Sequence, residues 1–158
     1  GRLRCRRIKR TTLCRLADAG KIDARPASEP IRRLRVADID RMIEFYREMP
    51  EFGPPARESV FAEVSAGHAR GFWIEADGEM ISIARTAAEN TRSAMIVGVG
   101  TRAAFRGRGY ATALMAELCR ELIAEGKTAV LFFDNPAAGN IYLRMGFEPI
   151  GDYVIVER

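Results

Sequence analysis

The stretch FRGRGYATALM (residues 105–115) places two glycines and two arginines directly before a run of strong helix formers. Glycine destabilises a helix interior, and neighbouring arginines repel one another, so this junction needs a specific reason. The N–H groups in the first turn of a helix have no partner inside the helix, and the helix dipole adds positive charge there. Glycines would let a bulky anion approach those groups, and Arg106 and Arg108 would add full charges. The stretch therefore predicts a pyrophosphate cradle at the start of a helix.

Three other interpretations explain this junction less well. A P-loop requires Gly-Lys-Ser/Thr, but Tyr110 follows the second glycine, which excludes it. A dinucleotide fingerprint requires a third glycine or alanine, where this chain has Thr112. The strands before the junction also resemble antiparallel hairpins and not a dinucleotide-binding half. A tight turn without a ligand would explain the glycines but not the paired arginines.

Hydrophobic periodicity around the junction predicts a mixed α/β domain with helices beside a central sheet. Asp77-Gly78 between two apolar runs indicates a hairpin, and Gly126 is a suitable end for the helix that the junction begins. Asn135-Pro136 is typical of another helix start. The predicted order is a strand at residue 31, a helix from residue 38, a helix over 58–66, three strands within 71–101, a helix over 111–125, a strand over 128–134, a helix from 136, and one or two strands from 147.

Composition limits the classes of function. The chain has 158 residues, of which 47% are hydrophobic, enough for one domain with a core. It contains no apolar run of about 18 residues, so we expect no membrane partner. The three cysteines, Cys5, Cys14 and Cys119, lack the spacing of metal ligands. This predicts reduced thiols, no bound metal and a cytoplasmic location.

Positive charge is concentrated at the start of the chain. Residues 1–35 carry 12 Lys or Arg and 3 Asp or Glu, although the whole chain has a net charge of only +4. This segment could be a nucleic-acid arm, or a strand that packs apolar residues such as Ile8 and Cys14 while its arginines face water. No aromatic residues alternate with the arginines to stack on bases, so we expect the strand and no nucleic-acid partner. We therefore predict a basic strand and linker over residues 1–30 and the main domain over residues 31–158.

Two motifs together resemble the GNAT superfamily of N-acyltransferases. SAMIVGVGTRAAFRGRGYATALM (residues 93–115) is similar to the strand, loop and helix that bind acyl-CoA in that family. NPAAGNIYLRMGF (residues 135–147) is similar to the family's second conserved motif. The resemblance covers about residues 31–158 and implies an α/β (α+β mixed) fold, with a mostly antiparallel central sheet splayed at the acyl-CoA site. A bacterial subgroup carries an additional N-terminal half, and residues 1–30 would then be the tail of that half.

The resemblance also implies an activity and a set of site residues. Acetyl-CoA, or another short acyl-CoA, would be the co-substrate, and an amine would be the acceptor. Tyr142 matches the family's general acid, and the N–H of Val99 matches the oxyanion donor. Gly98 and Gly100 indicate either a bulge that opens the sheet for the pantetheine arm or space for neighbouring side chains. The implied cofactor-binding residues are Val99, Gly100, Thr101, Arg106, Gly107, Arg108, Gly109, Tyr110, Ala111, Thr112 and Asn135.

Neither motif identifies the general base. The strand over residues 94–101 lacks the carboxylate or histidine that many relatives carry. The candidates are Glu75, Glu89 and His68, and we predict Glu89 because its loop should border the acceptor cleft. A chain of water molecules is the alternative. A catalytically inactive, CoA-binding regulatory domain of the same fold also remains compatible with the sequence.

Overall fold

A computed structural model describes residues 7–22 and 26–157, and the predicted thiol Cys5 lies outside these residues. The described chain forms seven strands and four α-helices. Three short 3-10 helices span Ala19–Lys21, Val36–Asp38 and Ala103–Phe105. In chain order the strands and α-helices are β1 (Arg7–Leu16), β2 (Ile31–Arg33), α1 (Ile39–Arg47), α2 (Arg57–Ser65), β3 (Gly71–Ala76), β4 (Glu79–Ala87), β5 (Ser93–Thr101), α3 (Tyr110–Ala124), β6 (Thr128–Phe133), α4 (Pro136–Arg144) and β7 (Phe147–Glu157).

One seven-stranded sheet, in the order β2-β3-β4-β5-β6-β1-β7, forms the centre of the fold. Every neighbouring pair is antiparallel except β5 and β6, which are parallel. Successive residues of β3 point to opposite faces, so Phe72 packs in a core with α3 and Trp73 packs in a second core with α1 and α2. Trp73 is 2% exposed, as expected for a core residue. This mixed α/β arrangement confirms the predicted fold class.

The first strand lies inside the sheet. β1 pairs with β6 over four residues and with β7 over its whole length. Cys14 is fully buried, as predicted, but Ile8 is 66% exposed. Ile8 lies beyond Thr12, the last β1 residue that pairs with β6, so its only neighbouring strand is β7. The prediction that Ile8 packs in the core is therefore wrong.

The sheet opens in its middle, between β5 and β6. These strands pair only over Ser93–Met95 and Thr128–Val130, so residues 96–101 of β5 have no partner in β6. On its other side, β5 pairs Val97 with Arg85 and Gly100 with Ile83. Three steps along β5 thus match two steps along β4, which places a bulge at residues 98–99. The predicted splay of the sheet is present.

Local turn and cap chemistry follows the sequence closely. Asp77 and Gly78 both have positive φ (52° and 78°), as a two-residue hairpin requires. Gly126 ends α3 with φ 73°, and the N–H of Lys127 donates to the carbonyl of Leu122. Ile123, in the last turn of this helix, is 40% exposed. The tail forms one strand, β7.

Candidate functional site

The junction before α3 has an exposed backbone. Gly109 is the N-cap residue of α3, and no side chain caps the helix there. Gly107 and Gly109 have left-handed backbones, with φ 77° and 79°, and a Cβ at either position would meet no heavy atom within 4 Å. The N–H groups of the first turn have no acceptor inside the helix. We call this backbone, residues 107–112, the cradle; it combines uncapped N–H groups, a helix dipole and open space.

The two arginines of the junction have different surroundings. The Nε of Arg106 donates to the carbonyl of Thr101 (2.9 Å), and its Nη2 pairs with Glu51 (2.9 Å). Arg108 stacks over Phe105, with 5.2 Å between its guanidinium carbon and the ring centre, and forms no ion pair within residues 7–22 and 26–157. Of the two positive charges expected at the cradle, that of Arg108 is uncompensated and that of Arg106 is shared with Glu51.

The predicted tyrosine and alanine of the junction contribute backbone groups. The side chain of Tyr110 is 4% exposed, and its hydroxyl lies 3.3 Å from the hydroxyl of Ser28. Its ring belongs to the core beneath α3. Ala111 and Thr112 follow in the first turn of the same helix. These three residues can therefore offer N–H groups to a ligand while the ring of Tyr110 anchors the helix.

The β5 glycines lie at a bulge and are also approached closely by neighbouring side chains. Gly98 adopts φ 61° at the bulge, and its carbonyl accepts a hydrogen bond from the hydroxyl of Tyr46 (2.7 Å). A Cβ on Gly98 would lie 2.9 Å from Cζ of Tyr46, and one on Gly100 would lie 2.8 Å from Cε2 of Phe52. Both distances are too short for a real contact, so these side chains of α1 and the following loop require glycine at both positions.

Val99 is left without a neighbour in the strand ladder. In the pairing of β4 with β5, Arg85 lies opposite Val97 and Ile83 lies opposite Gly100, so no residue of β4 lies opposite Val99. The pairing of β5 with β6 ends at Met95. The backbone of Val99 is therefore available to a ligand lying in the opening between β5 and β6. Thr101 differs, because its carbonyl is occupied by Arg106 and its hydroxyl lies 2.8 Å from that of Ser82.

Tyr142 lies on α4, and its ring packs between two phenylalanines. The ring centres of Phe133 and Phe147 are 6.3 Å and 6.1 Å away. Burial raises the pKa of the Tyr142 phenol above its ordinary value. The hydroxyl makes no hydrogen bond to another group in the part of the chain that the structure describes. At the start of the same helix, Oδ1 of Asn135 accepts from the N–H of Ala137 (2.9 Å), which makes Asn135 an N-cap.

The structure does not bring Glu89 to this site. Glu89 precedes β5, whereas the cradle follows the opposite end of that strand, whose nine residues span eight steps of about 3.3 Å, or about 26 Å. Its carboxylate is 2% exposed and bonds to Arg70, to Lys127 (2.9 Å) and to the hydroxyl of Thr86 (2.9 Å). Burial alone would raise the pKa of this carboxyl, but hydrogen bonds from Arg70, Lys127 and Thr86 outweigh it and hold the pKa below its ordinary value.

These bonds give Glu89 a structural role. They join the loop after β4 to the turn after α3 and to the residue before β3, and Arg70 also pairs with Glu121 and Glu125 of the α3 end. The structure also shows the surroundings of the other two candidates for the general base. Glu75 pairs with Arg32 and Arg41, and His68 is exposed in the loop after α2.

Two side chains beside the bulge were not identified from the sequence. Tyr46, on α1, is 1% exposed and donates to Gly98. Arg85, on β4, donates from Nε to the Tyr46 hydroxyl (3.2 Å) and lies over its ring at 5.4 Å. Tyr46 had the spacing of an ordinary apolar helix position, and Arg85 is a single charge at the end of the run ISIAR, so neither showed a pattern that pointed to a site.

The described residues contain no group of three or more His, Cys, Asp or Glu side chains that could hold a metal ion. Among the helices of residues 7–22 and 26–157, none is long and apolar enough to cross a membrane.

Comparisons with known proteins agree with this geometry. A family model described as the acetyltransferase (GNAT) family matches residues 36–147. A search of curated proteins finds no match. Among solved structures, a GNAT-family protein from Novosphingobium aromaticivorans is 19% identical with a TM-score of 0.77, and the alignment covers 97% of this chain and 65% of that one. At this identity the likeness shows the fold alone, and the chain spans less than two thirds of that relative.

Two further solved structures contain relevant ligands. One, described as a "predicted acetyltransferase with acetyl-CoA" from Clostridium acetobutylicum, is 16% identical with a TM-score of 0.64, covering 75% of this chain and 89% of that one. The other is AAC(6′)-Iy with the bisubstrate analogue CoA-S-monomethyl-acetylneamine, which is 20% identical with a TM-score of 0.63, covering 77% of this chain and 92% of that one.

Proposed function

Because the chain belongs to the GNAT acetyltransferase family, we propose that it transfers an acetyl or short acyl group from acyl-CoA to the amine of an acceptor. The cradle is the observation that carries this proposal. It presents uncapped N–H groups of α3, two left-handed glycines and open space where a Cβ would otherwise lie. Such a surface suits a diphosphate, which needs several close N–H donors and positive charge.

The cofactor contacts follow from this placement. The N–H groups of residues 107–112 would hold the diphosphate, and Arg108 would supply the uncompensated charge. The pantetheine arm would lie in the opening between β5 and β6, where its amides could pair with Val99 as an added strand would. Since Arg106 occupies the carbonyl of Thr101, only the N–H of Thr101 remains for the arm. Asn135 would border the arm while it caps α4.

The chemistry would be attack of a neutral amine on the thioester carbonyl. Val99 would donate its N–H to the carbonyl oxygen as negative charge develops there. Tyr142 would donate a hydrogen bond to the departing sulfur. A phenol of pKa about 10 is a weaker acid than a thiol of pKa about 8.5, so full proton transfer is uphill by about 2 kcal/mol. Burial raises the pKa of Tyr142 further, so we assign it hydrogen bonding in place of complete proton transfer. The departing thiolate would take its proton, directly or through water, from the nitrogen that has attacked the carbonyl, which leaves the amide and the CoA thiol.

The proton of the acceptor ammonium would leave through water. Glu89 is not carried forward as the base, because its ion pairs hold it at the far end of β5. Water can relay a proton to solvent where no side chain is placed to accept it. The described cysteines, Cys14 and Cys119, are free and buried thiols, and we propose a cytoplasmic location on that ground.

Binding of acetyl-CoA tests the proposal, with Gly109→Val as the decisive variant. A valine side chain would occupy the open space of the cradle, so we expect at least a tenfold loss of acetyl-CoA affinity by calorimetry. Gly67→Val is the matched control, because Gly67 has nearly the same φ (75°), equally open surroundings and a place after α2. Its loss of stability should be similar, and its affinity should be unchanged. Unaltered affinity in Gly109→Val would refute the cradle.

Turnover separates the enzyme from a domain that only binds CoA. Release of the CoA thiol with a broad panel of amines would support acyl transfer. Binding of acetyl-CoA without thiol release on any amine would favour the regulatory alternative, for which the distance of Glu89 from the site is the supporting observation. Absence of acetyl-CoA binding would overturn both.

A further inference from the structure

Arg85 is a half-buried arginine without a carboxylate partner. It lies in the central strand β4, and its only polar contact within the described chain is the bond from Nε to the Tyr46 hydroxyl. The other half-buried arginines of the described chain are neutralised: Arg70 pairs with three carboxylates, and Arg102 pairs with Glu48. Both Nη groups of Arg85 are thus without a protein acceptor.

A guanidinium removed from water without a counter-ion is costly, and proteins usually pair such groups. Its planar array of N–H donors matches the two oxygens of a carboxylate, which it can bind with two parallel hydrogen bonds. The guanidinium carbon of Arg85 lies 5.4 Å from the ring centre of Tyr46, and the bond from Nε to the Tyr46 hydroxyl leaves the Nη edge available. This arrangement suits an anion that arrives with a ligand.

The position of Arg85 points to the acceptor as that ligand. Arg85 pairs with Val97 in the register, immediately before the bulge. A Cβ built on Gly98 would lie 3.1 Å from Nε of Arg85, so the guanidinium is beside the backbone that leads to Val99. On the other side, Arg85 pairs with Gly71 of β3, which contributes no side chain and therefore no acceptor for the guanidinium. The cradle is at the far end of β5, beyond Thr101, so the diphosphate would not reach Arg85.

We infer that Arg85 binds a carboxylate of the acceptor, and that the acceptor is a small amino acid whose amine and carboxylate are only a few bonds apart. The inference rests on the proposed function. Tyr46 is a positioning residue in this arrangement, since it fixes Arg85 and the carbonyl of Gly98 through one hydroxyl. The short distance from Arg85 to the bulge sets the limit on acceptor length.

The test compares free α- and β-amino acids with their amides, using acetyl-CoA and release of the CoA thiol. We expect Arg85→Gln to lower the ratio of kcat/KM for acid over amide at least tenfold, while rates with the amides change less than threefold. The wild type and Arg85→Gln are assayed with the same amines. Differences in amine basicity therefore affect both acid-to-amide ratios equally and cancel when the two ratios are compared. Arg102→Gln is the matched control, and it should affect acids and amides alike. An unchanged ratio in Arg85→Gln would overturn the inference while leaving acyl transfer intact.

A binding measurement keeps the inference testable without turnover. N-acetylglycine and N-acetylglycinamide are titrated into wild type and Arg85→Gln, with saturating CoA if CoA binds and without it otherwise. Tighter binding of the acid to wild type, lost in the variant, supports the carboxylate site. Equal binding of acid and amide to wild type overturns it. Failure of acetyl-CoA binding would instead count against the proposed function.

Discussion

Replacement of Gly98 by alanine should distort the β5 bulge at a cost that the structure allows us to work out. Gly98 has φ 61°, a conformation that costs an L-residue about 1–2 kcal/mol. The new Cβ would also lie 2.9 Å from Cζ of Tyr46 and nearer still to its hydroxyl. The ring must move, so the 2.7 Å bond to the Gly98 carbonyl is lost at a cost of about 1 kcal/mol. We expect Gly98→Ala to lower the free energy of unfolding by about 2–3 kcal/mol.

Urea denaturation measures this loss, and two other variants isolate its causes. Gly109→Ala has a similar φ of 79° but open surroundings, so it should cost only about 1–2 kcal/mol. Tyr46→Phe removes the hydroxyl that lies closest to the new Cβ. In the double variant, Gly98→Ala should therefore cost about 1 kcal/mol less than it does alone, a coupling of the size expected for residues in contact. If Gly98→Ala costs no more than Gly109→Ala and adds independently to Tyr46→Phe, then Tyr46 does not fix the bulge.

Three further predictions concern single side chains. Tyr142→Phe should lower kcat at least tenfold with little change in acetyl-CoA affinity, as steady-state rates and calorimetry would show. Glu89→Gln should lower the free energy of unfolding by about 3 kcal/mol at neutral pH, because it breaks a buried ion pair. Since the pKa of Glu89 is lowered in the folded protein, its contribution is present above the ordinary value of 4.5 and is lost as pH falls below it. Burial raises the pKa of Cys119 to about 12 and also raises that of Cys14, so in a Cys5→Ser background a thiol reagent at pH 8 should label only unfolded protein.

Each of these predictions has a result that contradicts it. Equal losses of turnover and affinity in Tyr142→Phe would make the tyrosine a packing residue. Glu117→Gln is the control for Glu89, because its pair with Arg120 is exposed and should contribute less than about 1 kcal/mol. A stability loss in Glu89→Gln that does not shrink as pH falls below 4.5 would show that its charge is not the cause. Rapid labelling of folded protein would mean that a buried thiol is reached without unfolding.

Features that depend on neighbouring residues could be predicted from the sequence. The Asp77-Gly78 hairpin, the Gly126 cap and the Asn135 cap each arise from backbone preferences over a few residues. The cradle is of this kind, since its glycines and the helix after them are contiguous. The same locality explains why the motifs around Gly109 were informative about the family.

Features that depend on contacts between distant residues were missed. The ion pair of Arg106 was not anticipated because its partner, Glu51, lies in the loop after α1. Glu89 was predicted near the acceptor cleft from the position of its loop. The sequence does not show that Lys127 and Arg70 form ion pairs with it. Arg85 was not identified from the sequence. Its lack of a carboxylate partner can be seen only from the positions of the neighbouring strands and helices in the folded structure.

The place of β1 between β6 and β7 has a consequence for the order in which the chain can fold. Arg7 pairs with Glu157, and Cys14 pairs with Leu131, so β1 leaves the ribosome long before any of its partners exist. Pairing over such sequence separations closes large loops and is slow. Until β6 and β7 have been synthesised, β1 lacks both of these partner strands. Its arginines would keep the segment solvated and oppose its aggregation. The joining of β1 to β6 and β7 would then follow the synthesis of β7.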